Sequence, residues 1–243
     1  PMGRTVAEVR EMIALSHDNQ TLLTTFFNRR WDSDTLTIKK VIETGELGTL
    51  FRFEGRFERY RPTRNSASWR ENLPPEDGGG LLLDLQSHLI STALDCFGPA
   101  EVVSASVRSI RGGSDDDVTL VLRHESGVDS YLAASAIAGS PGPRVRLLGS
   151  QGALVIQELD LQEDALRRGE VPVSGVWPSA KKSLASIHRG DLVEEYESVG
   201  GNYATFYTLM KKSIEVGTPV PVSLEDALRV AEVIESARAI SVR

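Results

Sequence analysis

The sequence predicts an α/β chain of the α+β kind, built on a predominantly antiparallel sheet rather than a doubly wound one. Three observations carry this prediction. Between residues 101 and 156, strand-like stretches follow one another with only short turns between them. Helix-like stretches lie before and after this run. Residues 1–28 stand apart, because one helix there feeds one apolar run, an arrangement typical of a parallel crossover unit.

Composition excludes several classes of function. The 243 residues are 40% hydrophobic and 25% charged, which is ordinary for a globular protein with a real core. A net charge of −7 without a basic tract argues against a nucleic-acid partner, and no apolar run approaches the roughly 20 residues that span a bilayer. Cys96 is the only cysteine, so the default compartment is reducing and cytoplasmic. No metal site is expected, because the four histidines lack ligand spacing.

The first 28 residues predict a helix followed by a buried strand. Thr5 and Glu8 have capping-box spacing, and apolar residues then recur with helical period to about Ser16. The apolar run Leu22–Phe27 is the predicted strand. A buried parallel strand needs neighbours that nothing downstream supplies, so we expect this segment to close a domain whose earlier part precedes Pro1.

Two adjacent arginines, Arg29 and Arg30, come directly after that predicted strand. Loops at the carboxyl ends of such strands bind ligands in open α/β sheets, and paired guanidiniums suit a phosphate or a substrate oxygen. A solvated basic loop explains the pair equally well. The next helix is expected to be capped by one of Asp32, Ser33 or Asp34.

The clearest strand is Leu50–Tyr60, in which aromatic residues and glycine alternate with charged residues. Arg56 and Glu58, on the charged side, are candidate ligand residues, although such a side is often only solvated. The long polar loop 61–77 that follows is a candidate lid or binding loop. Its Trp69 and Arg70 would suit a polar ring-shaped ligand, unless Trp69 merely anchors the loop to the core.

The most informative stretch is Gly78–His88. Three glycines lead into a helical apolar stripe that begins at Leu82 and ends at Phe97. Asp84 and His88 are four residues apart, so they lie one above the other, with Asp84 in the first turn. A carboxylate beside an imidazole at a glycine-lined helix start indicates a proton-transfer site. The alternatives are a terminus-stabilising acid and a histidine of the core.

The rest of the chain predicts strands and then two helices. Hairpin turns are expected at Glu125–Gly127 and Gly149–Gly152. Residues 161–189 read as irregular. A last strand over 192–198 precedes helices over 200–217 and 224–240, the second of which Ser223 caps.

Together these stretches resemble the Gfo/Idh/MocA family of NAD(P)-dependent oxidoreductases. The resemblance covers the whole chain, and its most specific part is the Asp84/His88 motif after the glycines. Weaker parts are the segments Pro1-Met2, Phe26–Asp32, Leu147–Leu154 and Tyr203–Ile240. It implies that residues 1–28 are the end of a Rossmann domain and that residues 29–243 form a substrate-binding and oligomerisation domain. That domain would have a large open sheet with helices on one face.

The resemblance also implies a function. His88 would be the general base and Asp84 would orient the substrate or the imidazole, in hydride transfer from a sugar or polyol to NAD or NADP. The nucleotide would bind mainly to a domain before Pro1, with Arg29 and Arg30 as cofactor contacts of this chain. Asn28, Arg29, Arg56 and Glu58 would contact the substrate. Trp69 and Arg70, which the loop sequence alone suggests, are further substrate-binding candidates.

Two departures from the family pattern concern the pocket wall. Gln86 stands where many members have glycine, and Ser91 where many have an acid. The substrate therefore cannot be transferred from the family, and a non-catalytic ligand-binding or dimerisation module stays an alternative. In every case we expect a homodimer or homotetramer formed through the open sheet face, because an exposed apolar sheet face is a liability.

Overall fold

A computed structural model describes residues 1–171 and 184–241. Its β-strands, in chain order, are β1 (Leu50–Glu58), β2 (Ala100–Arg108), β3 (Asp117–His124), β4 (Asp129–Ser135), β5 (Val145–Gly149), β6 (Gly152–Ile156), β7 (Ala185–Arg189) and β8 (Leu192–Tyr196). Its α-helices are α1 (Val6–Asp18), α2 (Ser33–Thr44), α3 (Trp69–Asn72), α4 (Gln86–Phe97), α5 (Gln162–Arg167), α6 (Ala204–Val216) and α7 (Leu224–Ser241). Two 3₁₀ turns occupy Asn28–Trp31 and Pro75–Asp77.

The strands form one mixed sheet in the order β2-β3-β4-β1-β5-β6-β7-β8. Among the described strands, β1 and β4 run parallel and the other neighbours pair antiparallel. The hairpins β3–β4 and β5–β6 turn where the glycines Gly127 and Gly149–Gly152 predict. The predicted fold, a predominantly antiparallel sheet, is therefore confirmed.

Helices α4 and α7 cover one face of this sheet. Phe53 and Phe57 of β1 point into that core, where α4 contributes the fully buried Leu89 and Ile90. The opposite face carries the other half of the β1 alternation, including Glu54, which pairs with Arg146 of β5 at 3.0 Å. Alternation along a strand sends successive side chains to opposite faces, which explains the division.

The predicted buried strand at Leu22–Phe27 is wrong. No strand pairing involves this segment within the part of the chain that the structure describes, and Leu22 and Phe26 are 52% and 43% exposed. This segment instead packs against α6, where the centroid of the Phe26 ring lies 4.7 Å from that of the Phe206 ring. The hydroxyl of Thr24 donates to the carbonyl of Val222 (2.8 Å), so this contact uses a side chain where a strand would use backbone hydrogen bonds.

The predicted helix start at Leu82 is also wrong, since α4 begins at Gln86. Asp115 accepts hydrogen bonds from the two backbone N–H groups at the expected start. Its carbonyl accepts from Leu81 (3.0 Å) and its carboxylate accepts from Leu82 (2.7 Å). The N–H groups of Asp84 and Leu85 bond to carbonyls four residues back, but that of Gln86 bonds to the carbonyl of Leu81, five residues back, which separates this turn from α4. Asp84 therefore lies in the turn before α4, not in its first turn.

The terminal helices follow their capping signals. Thr5 accepts from the N–H of Glu8 (3.2 Å), and Ser223 accepts from that of Asp226 (3.0 Å), as the sequence predicts. Helix α1 packs against α7. Helix α2 follows Asp32, as expected, although the Asp32 side chain makes no capping bond, and it ends at Gly45 with a φ of +67°.

The stretch 161–189, which the sequence leaves irregular, contains α5 and β7. Its middle part, 172–183, lies outside the described residues. No helix in the described ranges has the length and apolar character needed to cross a bilayer.

Candidate active site

A cavity of about 750 Å³ opens where β1 ends, beside the turn that precedes α4. Most of its wall is charged. The segment 61–77 and the loop between β2 and β3 form one side, and α5 forms another. Of the predicted site residues, the cavity wall contains seven, all within the described ranges: Asn28, Arg29, Arg56, Glu58, Arg70, Asp84 and His88.

His88 is half-buried in the wall, with its ring edge-on to Phe27 at 6.1 Å between centroids. Its Nδ1 is buried without a hydrogen-bond partner, so Nε2 is the nitrogen that can meet a ligand. Burial, followed by positive charges of which Arg29 contributes most, lowers the pKa of His88 to about 3. The imidazole is therefore neutral at physiological pH, the state in which it accepts a proton.

Asp84 lines the same cavity, but its partner is Arg70 rather than His88. The Arg70 Nε donates to Asp84 at 3.2 Å, and the Arg70 guanidinium stacks on the Trp69 ring at 4.5 Å. The structure places no hydrogen bond between Asp84 and His88 in its described residues. Trp69 is half-exposed and lies off the cavity wall, so it supports Arg70 from behind.

Arg29 reaches the cavity wall already engaged with neighbours. Its guanidinium pairs with Asp32 (3.2 Å) and Glu163 and donates to the Tyr203 hydroxyl (2.8 Å). That hydroxyl in turn donates to Asp32 at 2.5 Å, and Asp32 is completely buried. The alternative of a solvated loop does not hold, because Arg29 belongs to a buried network that joins the Asn28–Trp31 turn, α5 and the start of α6.

Arg30 points away from the cavity. It donates to Ser91 of α4 (2.9 Å) and pairs with Asp95 (3.3 Å) and Asp226 (2.9 Å), which ties α4 to α7. The serine at position 91, the departure from the family pattern, is therefore a buried acceptor for Arg30. Neither Arg29 nor Arg30 offers the cavity a free pair of donors for a dinucleotide phosphate.

Arg56 and Glu58 line the cavity from the end of β1. Arg56 pairs with Glu54 at 2.6 Å, and Glu58 accepts from the backbone N–H of Gly142 at 2.8 Å. Asn28 differs from both. Its half-buried side-chain amide has no hydrogen bond to any described residue, so a donor and an acceptor both remain for a ligand. An uncharged amide or hydroxyl group fits that requirement.

The segment 61–77 is held over the cavity by the loop between β2 and β3. Arg111 pairs with Asp116 (2.9 Å) and Glu71 (3.2 Å), and it donates to the carbonyl of Arg61 (2.7 Å). The hydroxyl of Ser114 donates to the carbonyl of Leu73. These contacts make the predicted binding loop an ordered wall.

Among the wall arginines that sequence reasoning missed are Arg59, Arg61 and Arg144. Arg144 pairs with the buried Asp34 at 2.7 Å and stacks on the Phe57 ring at 3.8 Å. A signal for the other two was present, because Arg59 and Arg61 continue the odd-numbered side of β1 after Phe53, Gly55 and Phe57. No cluster able to hold a metal ion occurs in the described residues.

The fold agrees with what the comparisons with known proteins find. Residues 35–155 match the family model described as GFO/IDH/MocA C-terminal domain. The chain belongs to the Gfo/Idh/MocA family of oxidoreductases.

Two curated relatives show the range of the family. The chain is 33% identical over 243 residues to scyllo-inositol 2-dehydrogenase (NADP(+)) IolW of Bacillus subtilis, an alignment of 98% of this chain and 67% of the relative. It is 26% identical over 247 residues to trans-1,2-dihydrobenzene-1,2-diol dehydrogenase of Mus musculus, covering 98% and 67% of the two chains. This chain thus spans about two thirds of the length of either relative.

Solved structures give the same result. The yvaA protein of Bacillus subtilis superimposes with a TM-score of 0.87 at 31% identity, over 99% of this chain and 69% of that one. An oxidoreductase of Yersinia pestis gives a TM-score of 0.83 at 32% identity, over 98% and 67% of the two chains. The relatives support a dehydrogenase family of the sugar and polyol type.

Proposed function

We propose that the chain forms the substrate-binding part of an NAD(P)-dependent dehydrogenase that oxidises a hydroxyl group of a sugar, a polyol or a related compound. The observation that carries the proposal is His88: a neutral imidazole, on the wall of a polar cavity, with one ring nitrogen left for a ligand. The relatives named for inositol and dihydrodiol oxidation support the choice of substrate class.

The proposed step removes a hydride and a proton from a carbinol. A bound nicotinamide supplies the hydride-accepting ring. His88 accepts the hydroxyl proton at Nε2, which requires that Nδ1 carry the ring proton in the neutral state. The cationic Arg29 and Arg144 near His88 favour a substrate that carries negative charge as its proton leaves.

Asp84 and Asn28 orient the substrate in this proposal. Arg70 holds the Asp84 carboxylate in place at 3.2 Å, so a remaining oxygen lone pair can accept from a sugar hydroxyl. Asn28 suits a second hydroxyl or the nicotinamide carboxamide. Because Arg29 and Arg30 are committed to internal carboxylates, we propose that the nucleotide phosphates bind mainly outside these 243 residues.

Turnover by the full-length protein tests the proposal. scyllo-Inositol, D-glucose and D-glucuronate would each be offered with NAD⁺ and with NADP⁺, and reduction followed by absorbance. We expect His88→Ala to remove turnover by more than about a hundredfold while cofactor affinity is kept, since general bases contribute at least that much. His17→Ala, an exposed change on α1, is the matched control. Unchanged turnover in His88→Ala would remove His88 from the mechanism.

A second copy of the chain is the proposed partner, docked on the sheet face opposite α4 and α7. That face carries the exposed Tyr131 of β4, on which the Arg52 guanidinium stacks at 5.1 Å. We expect a dimer or tetramer by sedimentation, and Tyr131→Glu should dissociate it. A monomeric wild-type protein would contradict this.

The cytoplasmic setting, proposed from the free Cys96, is checked by localising the tagged protein.

A further inference from the structure

Two arginines of the cavity wall, Arg59 and Arg61, have no ion-pair or side-chain hydrogen-bond partner in the described residues. The Nε of Arg59 is buried and unpartnered. The sequence of the segment 172–183 contains no Asp or Glu, so it offers no carboxylate side chain either. A buried guanidinium donor is costly to leave unpaired, which makes Arg59 unusual, while Arg61 beside it is exposed and open to solvent or a ligand.

The other arginines of the wall are all matched with carboxylates. In the described part of the chain these pairs are Arg29 with Asp32 and Glu163, Arg56 with Glu54, Arg70 with Asp84, Arg111 with Glu71 and Asp116, Arg144 with Asp34, and Arg167 with Glu163 and Asp164.

The wall carboxylates outside these pairs are satisfied by backbone donors. Glu58 accepts from Gly142, and Asp115 accepts from Leu82. Asp160 accepts from the N–H groups of Ser33 (2.6 Å) and Gln162 (2.7 Å). The two free guanidiniums therefore face no carboxylate that still lacks a partner.

Backbone hydrogen bonds fix the chain at both arginines. The N–H of Arg59 donates to the carbonyl of Ser135 (3.0 Å) and that of Arg61 to the carbonyl of Ala136 (2.7 Å), so the chain stays attached to the end of β4 beyond the last residue of β1. Both side chains line the cavity. Burial lowers the pKa of Arg59 and the charge of Arg61 adds to this, while the nearby carboxylates of Asp84, Glu71 and Glu163 partly oppose it, and the guanidinium stays protonated. Two like charges are thus held together beside the cavity.

We propose that Arg59 and Arg61 form a subsite for an anionic group of the substrate, a carboxylate or a phosphate. The substrate is then an acidic sugar or a sugar phosphate rather than a neutral polyol. This inference rests on the proposed function, because it uses the same cavity as His88. Arginine presents two parallel N–H donors that match either anion, and a pair of arginines clamps it from two sides.

Binding measured by calorimetry tests the subsite on the full-length protein without nucleotide. The probes are D-glucuronate, D-glucose 6-phosphate and D-glucose. We expect at least one anionic sugar to bind about tenfold or more tightly than D-glucose, as charge-assisted hydrogen bonds imply, and the preference to weaken with salt. A carboxylate-only preference indicates a sugar acid, and a phosphate-only preference indicates a sugar phosphate.

Variants connect the preference to the two residues. Arg61→Gln, an exposed change with no fold contact to lose, should reduce the anion preference, and R59Q/R61Q should abolish it while affinity for D-glucose is kept. Arg10→Gln is the matched control, because it removes an exposed arginine of α1 that lies off the cavity wall. Thermal melting of each variant checks the fold.

Several outcomes would overturn the inference. These are equal affinity for charged and neutral sugars, no binding of either anionic sugar, or a preference that survives R59Q/R61Q. Displacement of the sugar by NADP⁺ that requires both arginines would assign the pair to the cofactor. Turnover of neutral polyols that needs His88 but shows no anion preference would leave the proposed function standing and remove only this subsite.

Discussion

The state of the His88 side chain is decided by its surroundings. Asp84 and His88 line one cavity, although only His88 belongs to α4 and Asp84 lies in the turn before it. The sequence spacing does not predict the partner of Asp84, since Arg70 comes from the preceding loop and its position depends on the fold. Nor does it predict that burial, and after it nearby cations rather than a carboxylate, sets the pKa of the imidazole.

The lowered pKa of His88 predicts a neutral ring over a wide pH range. An unperturbed histidine titrates near pH 6.5, whereas burial and nearby cations move His88 to about 3. Ring signals of His88, followed by NMR in the free protein, should stay constant from pH 8 to about pH 4. A titration midpoint near 6.5 would contradict the structure.

The lowered pKa of His88 also predicts how the stability of the fold changes with pH. Between about pH 6.5 and about pH 3 the unfolded chain binds a proton at His88 that the folded chain does not, so the free energy of unfolding falls as the pH falls. Replacement His88→Gln should make the unfolding free energy less steep with pH in this window. His17→Gln serves as control, because that side chain is exposed.

Among the elements, local sequence signals predicted the hairpins correctly. The start of α4 was predicted wrongly, because it depends on contacts between residues far apart in the sequence. Turn glycines and strand alternation are properties of neighbouring residues, so β3–β4 and β5–β6 follow from the sequence. The start of α4 depends on Asp115, some thirty residues downstream, which takes the N–H of Leu82. The strand predicted over Leu22–Phe27 is wrong for a similar reason, because Phe26 packs against α6 instead of lying in a strand.

The turn before α4 requires glycine at position 80. Gly80 has a φ of +97°, and an added Cβ would overlap the Asp115 carboxylate. We expect Gly80→Ala to lower the free energy of unfolding by about 1–3 kcal/mol, from backbone strain and from the displaced carboxylate. Gly200→Ala is the control, since no neighbour lies near its Cβ position. Urea unfolding measures both, and equal stability of the two variants would contradict the proposed role of Asp115.

The buried pair Asp34–Arg144 ties α2 to the start of β5. Asp34 is 1% exposed and Arg144 is 6% exposed, and their contact is 2.7 Å. We expect Asp34→Ala to destabilise the fold by about 3 kcal/mol or more, because it leaves a buried charge without its partner. Asp129→Ala breaks the exposed pair with Arg123 and should change the urea midpoint far less. Similar losses in both variants would contradict this account.

At the scale of the whole molecule, the sheet brings together what the sequence keeps apart. The cavity takes its walls from the end of β1, the turn before α4, the loop between β2 and β3, and α5. Composition predicted the class of the chain and alternation predicted the sheet. The charge balance of the cavity could not be predicted, because ion pairs such as Arg70–Asp84, Arg111–Glu71 and Arg144–Asp34 join residues that only the folded chain places side by side.

The most direct test is to follow His88 while the protein binds a sugar or polyol that it oxidises. NMR would record the ring signals of His88 during titration with that compound, with His17 as internal reference. The account predicts a saturable shift of the His88 signals, with the same dissociation constant as calorimetry gives, and no shift at His17. Saturable binding that leaves the His88 signals unchanged would contradict it.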